Sequence, residues 1–117
     1  MTTFGSYIRK KRTALANRDP SFSVRQVAKR IQVQPSFLSK VERDLQPPPS
    51  AAKVRALATE LGDDPDMLLA MAGKVSEDLK TIIMRRPEIF ADVIRQLDAL
   101  PDHAVLRVVR EVRDGDW

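Results

Sequence analysis

A short polar and basic set between residues 34 and 43 has side chains suited to hydrogen-bonding another molecule. At helical spacing, Ser36, Ser39 and Lys40 lie on one face of a helix, with Leu38 and Val41 on the other. A lysine can donate hydrogen bonds to O6 and N7 of guanine, and a serine hydroxyl can bond to several base edges. A short helix with such a face is shaped to enter the major groove of DNA.

The sequence offers no set of residues for catalysis or for metal binding. His103 is the only histidine, and it falls in the first turn of a predicted helix, where we expect it to be solvated. The four glycines are scattered and form no phosphate-binding loop, and no His, Asp or Glu residues have metal-ligand spacing. We therefore expect no enzymatic activity, no cofactor and no metal ion.

Two short helices joined by a tight turn are predicted around the polar set. Ser23 is a suitable N-cap for the first, whose apolar face consists of Val24, Val27, Ala28 and Ile31. The pattern breaks at Gln32 and Val33. Gln34 is then a candidate cap for the second helix, and Pro35 occupies its first position, where the missing N–H would be unpaired anyway.

Charge is distributed unevenly along the 117 residues. Residues 1–43 contain ten Lys/Arg and two Asp/Glu, a net charge of +8, whereas residues 44–117 contain ten and fourteen, a net charge of −4. The positive charge thus coincides with the predicted helix pair. This coincidence favours contact with nucleic acid over an ordinary solvated basic surface.

Composition indicates a folded protein without a membrane segment. A hydrophobic fraction of 43% is enough for a packed core, and the absence of cysteine excludes disulfides. No apolar run is long enough to cross a bilayer, and the basic N-terminal segment is not followed by the apolar stretch of a signal peptide. We expect a cytoplasmic location and no membrane partner.

Residues 3–72 resemble the XRE/Cro-type, lambda-repressor-like family of helix-turn-helix transcriptional regulators. The resemblance rests on residues that occur in the family's order: Phe4-Gly5, Ile8-Arg9, Arg12, the segment 23–43, Pro49-Ser50, Leu57-Ala58, Leu61-Gly62 and the segment 64–69. It implies an all-α fold, with a five-helix DNA-binding domain over residues 1–73 and a recognition helix at about 35–43. The expected fourth helix begins after Ser50 and ends at Gly62, and the fifth runs from Asp64 to Gly73.

The resemblance also assigns contacts. Base contacts are expected from Gln34, Pro35, Ser36, Ser39 and Lys40. Phosphate or backbone contacts are expected from Ser23, Arg25, Lys29, Phe37 and Arg43; solvation is the alternative for the three basic residues, and partial burial in the core is the equal alternative for Phe37. Arg12 is expected to pair with Glu42, in preference to both being ordinary surface charges.

Two residues depart from the family pattern. Glycine is usual at the turn between the helices and after the recognition helix, because the backbone there has a positive φ, but this chain has Gln32 and Asp44. Each is expected to cost roughly 1 kcal/mol compared with glycine. The segment Asn17–Phe22 is predicted as a polar loop, longer than is usual in the family.

Residues 74–117 lie beyond the resemblance and are predicted to form three amphipathic helices. Their apolar stripes contain more surface than so short a segment can cover. A homodimer is favoured over packing on the N-terminal domain alone, because an operator with two-fold symmetry needs a paired protein. Dimer contacts are expected from Phe90, Val93, Ile94, Leu97, Val105, Val109 and Val112.

These features predict a sequence-specific DNA-binding transcriptional regulator that binds a palindromic operator in double-stranded DNA as a homodimer, with repression favoured over activation. One alternative is an antitoxin-like or protease-responsive module whose C-terminal helices bind a partner protein. Another is an architectural DNA binder that ignores sequence.

Overall fold

The computed structural model describes residues 2–117, and this part of the chain is all-α, with eight α-helices, one 3₁₀ turn and no strands. The fold class predicted from the sequence is confirmed at this level. The chain divides into two compact units, of which one ends at Ser76 and the other spans Glu77–Trp117. Every helix in the described residues is too short or too polar to cross a lipid bilayer.

The first unit contains five α-helices and the 3₁₀ turn. Their bounds are α1 Phe4–Ala16, the 3₁₀ turn Pro20–Phe22, α2 Val24–Arg30, α3 Pro35–Glu42, α4 Ala51–Leu61 and α5 Pro65–Met71. Side-chain caps fix the start of four of these helices, because an oxygen of each cap accepts a hydrogen bond from an amide in the first turn; these caps are Thr3, Ser23, Ser50 and Asp64. The 3₁₀ turn occupies part of the segment that was predicted to be a polar loop.

One apolar core joins the five helices. α1 and α2 both pack on α3, and α4 packs on α1 and α5. The buried residues are Phe4, Ile8, Val27, Ala28, Ile31, Leu38, Val41, Val54, Leu57, Ala58, Leu61, Leu68 and Leu69. The helical periodicity predicted the members that α2 and α3 contribute, because the apolar stripe of a helix is the face that burial removes from water. These members are Val27, Ala28, Ile31, Leu38 and Val41.

Asp63, in the connection between α4 and α5, ties that connection to α1. Its carboxylate accepts a hydrogen bond from the Tyr7 hydroxyl at 3.0 Å and lies 3.0 Å from Lys11 Nζ. Burial, followed by the hydrogen bond to Asp63, raises the pKa of Tyr7. The hydrogen bond to Asp63 also raises the pKa of Lys11.

Gly5 allows α1 to pass close to the end of α3. A Cβ atom at this position would collide with the backbone carbonyl oxygen of Val41 and would lie 2.6 Å from a carboxylate oxygen of Asp44. Any larger residue would therefore push α1 away from α3.

The second unit consists of α6 Glu77–Arg85, α7 Pro87–Asp98 and α8 Asp102–Asp114. α6 and α7 pack against each other. None of residues 77–117 is buried, so this unit has apolar helix faces without a solvent-excluded core.

Candidate nucleic-acid interface

The helix α3 presents a polar face above a fixed apolar base. Leu38 and Val41 are only 2% and 1% exposed, which locks the rotation of the helix about its axis. Ser36 and Lys40 are exposed and Ser39 is half-buried. The three side chains expected to reach base edges from the body of the helix are thus accessible to a ligand.

The start of α3 is only partly as predicted. Gln34 occupies the N-cap position with extended backbone, but its side chain makes no capping hydrogen bond. Its amide group is exposed, as is Pro35 at the first helical position. Phe37 is half-buried and packs against the core, so part of its ring is occupied within the protein.

Left-handed backbone conformations terminate both helices of the pair. Gln32 and Asp44 each have φ of 60°, as expected at the two positions where the family has glycine. After α2, the Val33 amide donates to the Ala28 carbonyl at 2.9 Å; after α3, the Leu45 amide donates to the Lys40 carbonyl at 2.8 Å. The Asp44 side chain also accepts a hydrogen bond from the Thr3 hydroxyl at 2.9 Å. The exposed Gln32 side chain forms no comparable hydrogen bond among the described residues.

A buried ion pair joins α1 to the end of α3. Arg12 donates from Nε and Nη2 to the two carboxylate oxygens of Glu42, at 2.6 Å and 2.9 Å. The side chains are only 11% and 4% exposed. A planar guanidinium held by both oxygens fixes direction as well as distance, so α3 cannot shift along α1 without breaking two bonds. This is the pair that the resemblance indicated.

Two arginines also hold the 3₁₀ turn immediately before α2. Arg12 Nη1 donates to the Phe22 carbonyl at 3.1 Å, and Arg30 Nη1 donates to the Ser21 carbonyl at 2.6 Å. The Arg30 guanidinium lies 5.2 Å from the centre of the Phe22 ring and pairs with Glu60 on α4. By helical spacing Arg30 lies outside the apolar face of α2, and this spacing does not indicate either contact.

Ser23 follows directly on the 3₁₀ turn, which fixes its position. Asp19 Oδ1 accepts a hydrogen bond from the Ser21 amide at 2.9 Å, and this bond, followed by one from the Ser21 side chain, lowers the pKa of Asp19. Ser23 Oγ accepts from the Gln26 amide at 3.2 Å, so its hydroxyl hydrogen can still be donated. Arg25 and Lys29 on α2 and Arg43 after α3 are exposed.

The residues expected to form a dimer interface all lie on α7 and α8 and remain accessible. Val93, Ile94, Val109 and Val112 are 41–62% exposed, and Phe90, Leu97 and Val105 are half-buried. The sequence assignment left out other exposed apolar residues of the same unit, of which Met84, Ile89 and Leu106 are the most exposed besides Trp117. Helical spacing places Ile89 and Leu106 at the edges of the apolar stripes of α7 and α8, and this position is the signal that would have included them.

No group of three or more His, Asp or Glu side chains in residues 2–117 lies close enough to hold a metal ion, and His103 is exposed on α8. No protein-family model, curated protein or solved structure matches the chain.

Proposed function

We propose that this protein is a sequence-specific DNA-binding transcriptional regulator. In this proposal α2 and α3 form the helix-turn-helix of a lambda-repressor-like domain made by α1–α5, and α3 enters the major groove. The observation that carries the proposal is the exposed polar face of α3 on a rigid base: Leu38 and Val41 are buried beneath it, and Arg12 clamps Glu42 at its end. We call this polar face, formed by Ser36, Ser39 and Lys40, the reading face. Because it is already held in place, it loses little conformational entropy on binding.

Electrostatics support the same ligand. Arg25, Lys29 and Arg43 are exposed and have no carboxylate partner in the part of the chain that the structure describes. In the proposed complex these cations contact phosphates and provide most of the affinity, while Lys40 and the two serines distinguish bases. Repression is the favoured outcome, because occupying a promoter requires no additional activity.

The second unit supports a homodimer. Twelve large apolar side chains in residues 77–117 are more than a third exposed. A fully exposed side chain of this kind has roughly 100 Å² of apolar surface. Because these side chains are on average about half exposed, the twelve together present roughly 600 Å² per chain to solvent. One partner of a standard interface buries about 800 Å², of which roughly 65% is apolar in homodimers. The exposed apolar surface therefore matches what a second copy would cover.

Binding selection from random duplexes tests the proposed recognition. We expect enrichment of two related half-sites separated by about one helical turn of DNA. Lys40→Ala should relax the preference at one base pair in each half-site, at a cost of about 1–3 kcal/mol, while Lys29→Ala should weaken all sequences alike. Equal loss on every sequence from Lys40→Ala, or no enrichment with the wild-type protein, would contradict the proposal.

The oligomeric state tests the proposed dimer. Light scattering should give twice the chain mass of 13.2 kDa, and Val109→Glu should reduce it to the chain mass by placing a charge on the α8 face. Leu45→Glu is the matched control, because Leu45 is 63% exposed but lies in the first unit. A wild-type monomer that forms a stoichiometric complex with a different protein and shows no DNA sequence preference would instead favour the antitoxin-like or protease-responsive module.

A further inference from the structure

The structure sorts the ten basic residues of positions 1–43 into two groups. Three of them form ion pairs within the protein: Lys11 with Asp63 at 3.0 Å, Arg12 with Glu42 at 2.6 Å and Arg30 with Glu60 at 2.6 Å. The others have no carboxylate partner among residues 2–117; they are Arg9, Lys10, Arg18, Arg25, Lys29, Lys40 and Arg43. The sequence alone could not separate the cations that hold the fold together from those that can meet a ligand.

Three of the unpaired cations surround one cleft. The cleft lies between α1 and the end of α3 and has a volume of about 720 Å³. Arg9 and Lys10 line it from α1, and Arg43 lines it from the residue after α3. The remaining lining includes Thr13 and Asn17, whose polar side chains can also donate hydrogen bonds, and Ser6, whose hydroxyl donates to the Thr3 carbonyl at 3.2 Å.

The carboxylates at this cleft do not neutralise the three cations. Glu42 is occupied by Arg12 through both of its oxygens. Asp44 accepts a hydrogen bond from the Thr3 hydroxyl and forms no ion pair among the described residues. Arg43 donates from Nε to the Ser39 carbonyl at 3.3 Å, which leaves both of its terminal nitrogens for another acceptor. The cleft is thus an open site rich in donors and cations that suits an oxyanion.

We propose that this cleft binds phosphates of the DNA backbone, and that Arg9 and Lys10 are DNA contacts in addition to those that the sequence indicated. The inference rests on the proposed function. The cleft adjoins the reading face, because Arg43 follows directly on the helix that carries Ser39 and Lys40. It is also open and lined by exposed cations, which suits a backbone that passes over the surface better than a small anion that must be enclosed.

The salt dependence of DNA binding tests this assignment with Arg9→Ala combined with Lys10→Ala. Each phosphate contact contributes about 0.9 to the slope of log K against log salt. The double variant removes two such contacts from each protomer of the proposed homodimer, so the slope for the dimer should fall by about 3.6. The same relation gives a roughly 60-fold loss of affinity per protomer at 0.1 M salt, or about 4,000-fold for the dimer, equal on the selected operator and on unrelated duplex. Neither side chain makes an intramolecular hydrogen bond or ion pair among the described residues, so the variant should keep its fold.

Lys53→Ala combined with Arg55→Ala is the matched control. It removes the same charge from α4, away from the cleft, and both residues lack a carboxylate partner within residues 2–117. We expect this pair to leave the salt slope unchanged and to weaken binding by no more than about threefold, as expected when only the long-range field changes.

Neutral methylphosphonates placed singly along the operator backbone identify the phosphates concerned. At certain positions the methylphosphonate should weaken DNA binding by the wild-type protein but not by the variant with Arg9→Ala and Lys10→Ala, which we call the cleft variant. The reason is that a contact that has already been removed cannot be lost twice. If the wild-type protein selects an operator but the cleft variant matches the control in slope and affinity, this inference is wrong while the proposed function stands. A protein that binds no duplex overturns both, and saturable binding of inorganic phosphate that DNA does not displace would assign the cleft to a small anion.

Discussion

Replacing Arg12 with methionine should destabilise the first unit more than replacing Lys11 or Arg30, the other two cations of residues 1–43 that form ion pairs. Glu42 is 4% exposed, so the substitution leaves a carboxylate in the protein interior without its cation. Breaking a buried pair from one side typically costs about 3–5 kcal/mol, and the lost hydrogen bond to the Phe22 carbonyl adds about 1 kcal/mol. A small domain has only about 5–15 kcal/mol of stability, so the variant should be close to unfolding.

Two comparison variants separate the buried charge from the lost side chain. Arg12→Met combined with Glu42→Leu removes both charges and should recover most of the stability, because a buried ion pair is often no better than apolar packing of similar volume. Arg30→Met removes a pair whose side chains are 32% and 26% exposed. We expect it to cost only about 1–2 kcal/mol, since water screens the charge that remains.

Urea unfolding measures these differences if the first unit is observed alone. The single tryptophan, Trp117, lies in the second unit, so the measurement needs a probe within the first. Methyl NMR signals of the buried Leu57 and Leu69 provide a probe in the core of the first unit. A loss below about 1 kcal/mol for Arg12→Met, or a double variant no more stable than the single one, would refute the reasoning.

Three further outcomes follow from the same structure. Gln32→Gly should stabilise the first unit by about 1 kcal/mol, because an exposed side chain at φ of 60° gives no compensating contact; a lower urea midpoint would contradict this. Gly5→Ala should cost about 1–3 kcal/mol, because the added Cβ meets the Val41 carbonyl; an unchanged midpoint would show that α1 can move at no cost. The raised pKa of Tyr7 means that its stabilising effect is complete below the unfolded value of 10.0 and is lost as pH rises through the folded value. Tyr7→Phe should therefore flatten the loss of stability between pH 9 and pH 11, measured by urea unfolding at each pH, and an equally steep loss would exclude Tyr7 as its source.

The sequence by itself determined where most helices begin and which sides of α2 and α3 are buried. Ser23, Ser50 and Asp64 cap their helices with side-chain hydrogen bonds, and Pro35 occupies the first position of α3 as expected. These features could be predicted because a capping side chain and the amide that it binds lie within one helical turn of each other. In addition, the apolar residues on one face of a helix recur every three or four positions in the sequence. The left-handed residues Gln32 and Asp44 were expected from the family's glycine positions.

The tertiary structure alone decided which charged groups belong to the fold and which face outward. Arg30 fits an exposed face by its spacing, yet it holds the 3₁₀ turn and Glu60; Asp63 links α1 to the α4–α5 connection through Tyr7, 56 residues away. Gly5 lets α1 approach the end of α3, and the cleft beside Arg9 and Arg43 lies between these two helices. These pairings form only when helices that are distant in sequence approach each other. In the sequence, a basic residue that pairs with a carboxylate of the protein has the same charge and spacing as one that is free to bind an external phosphate.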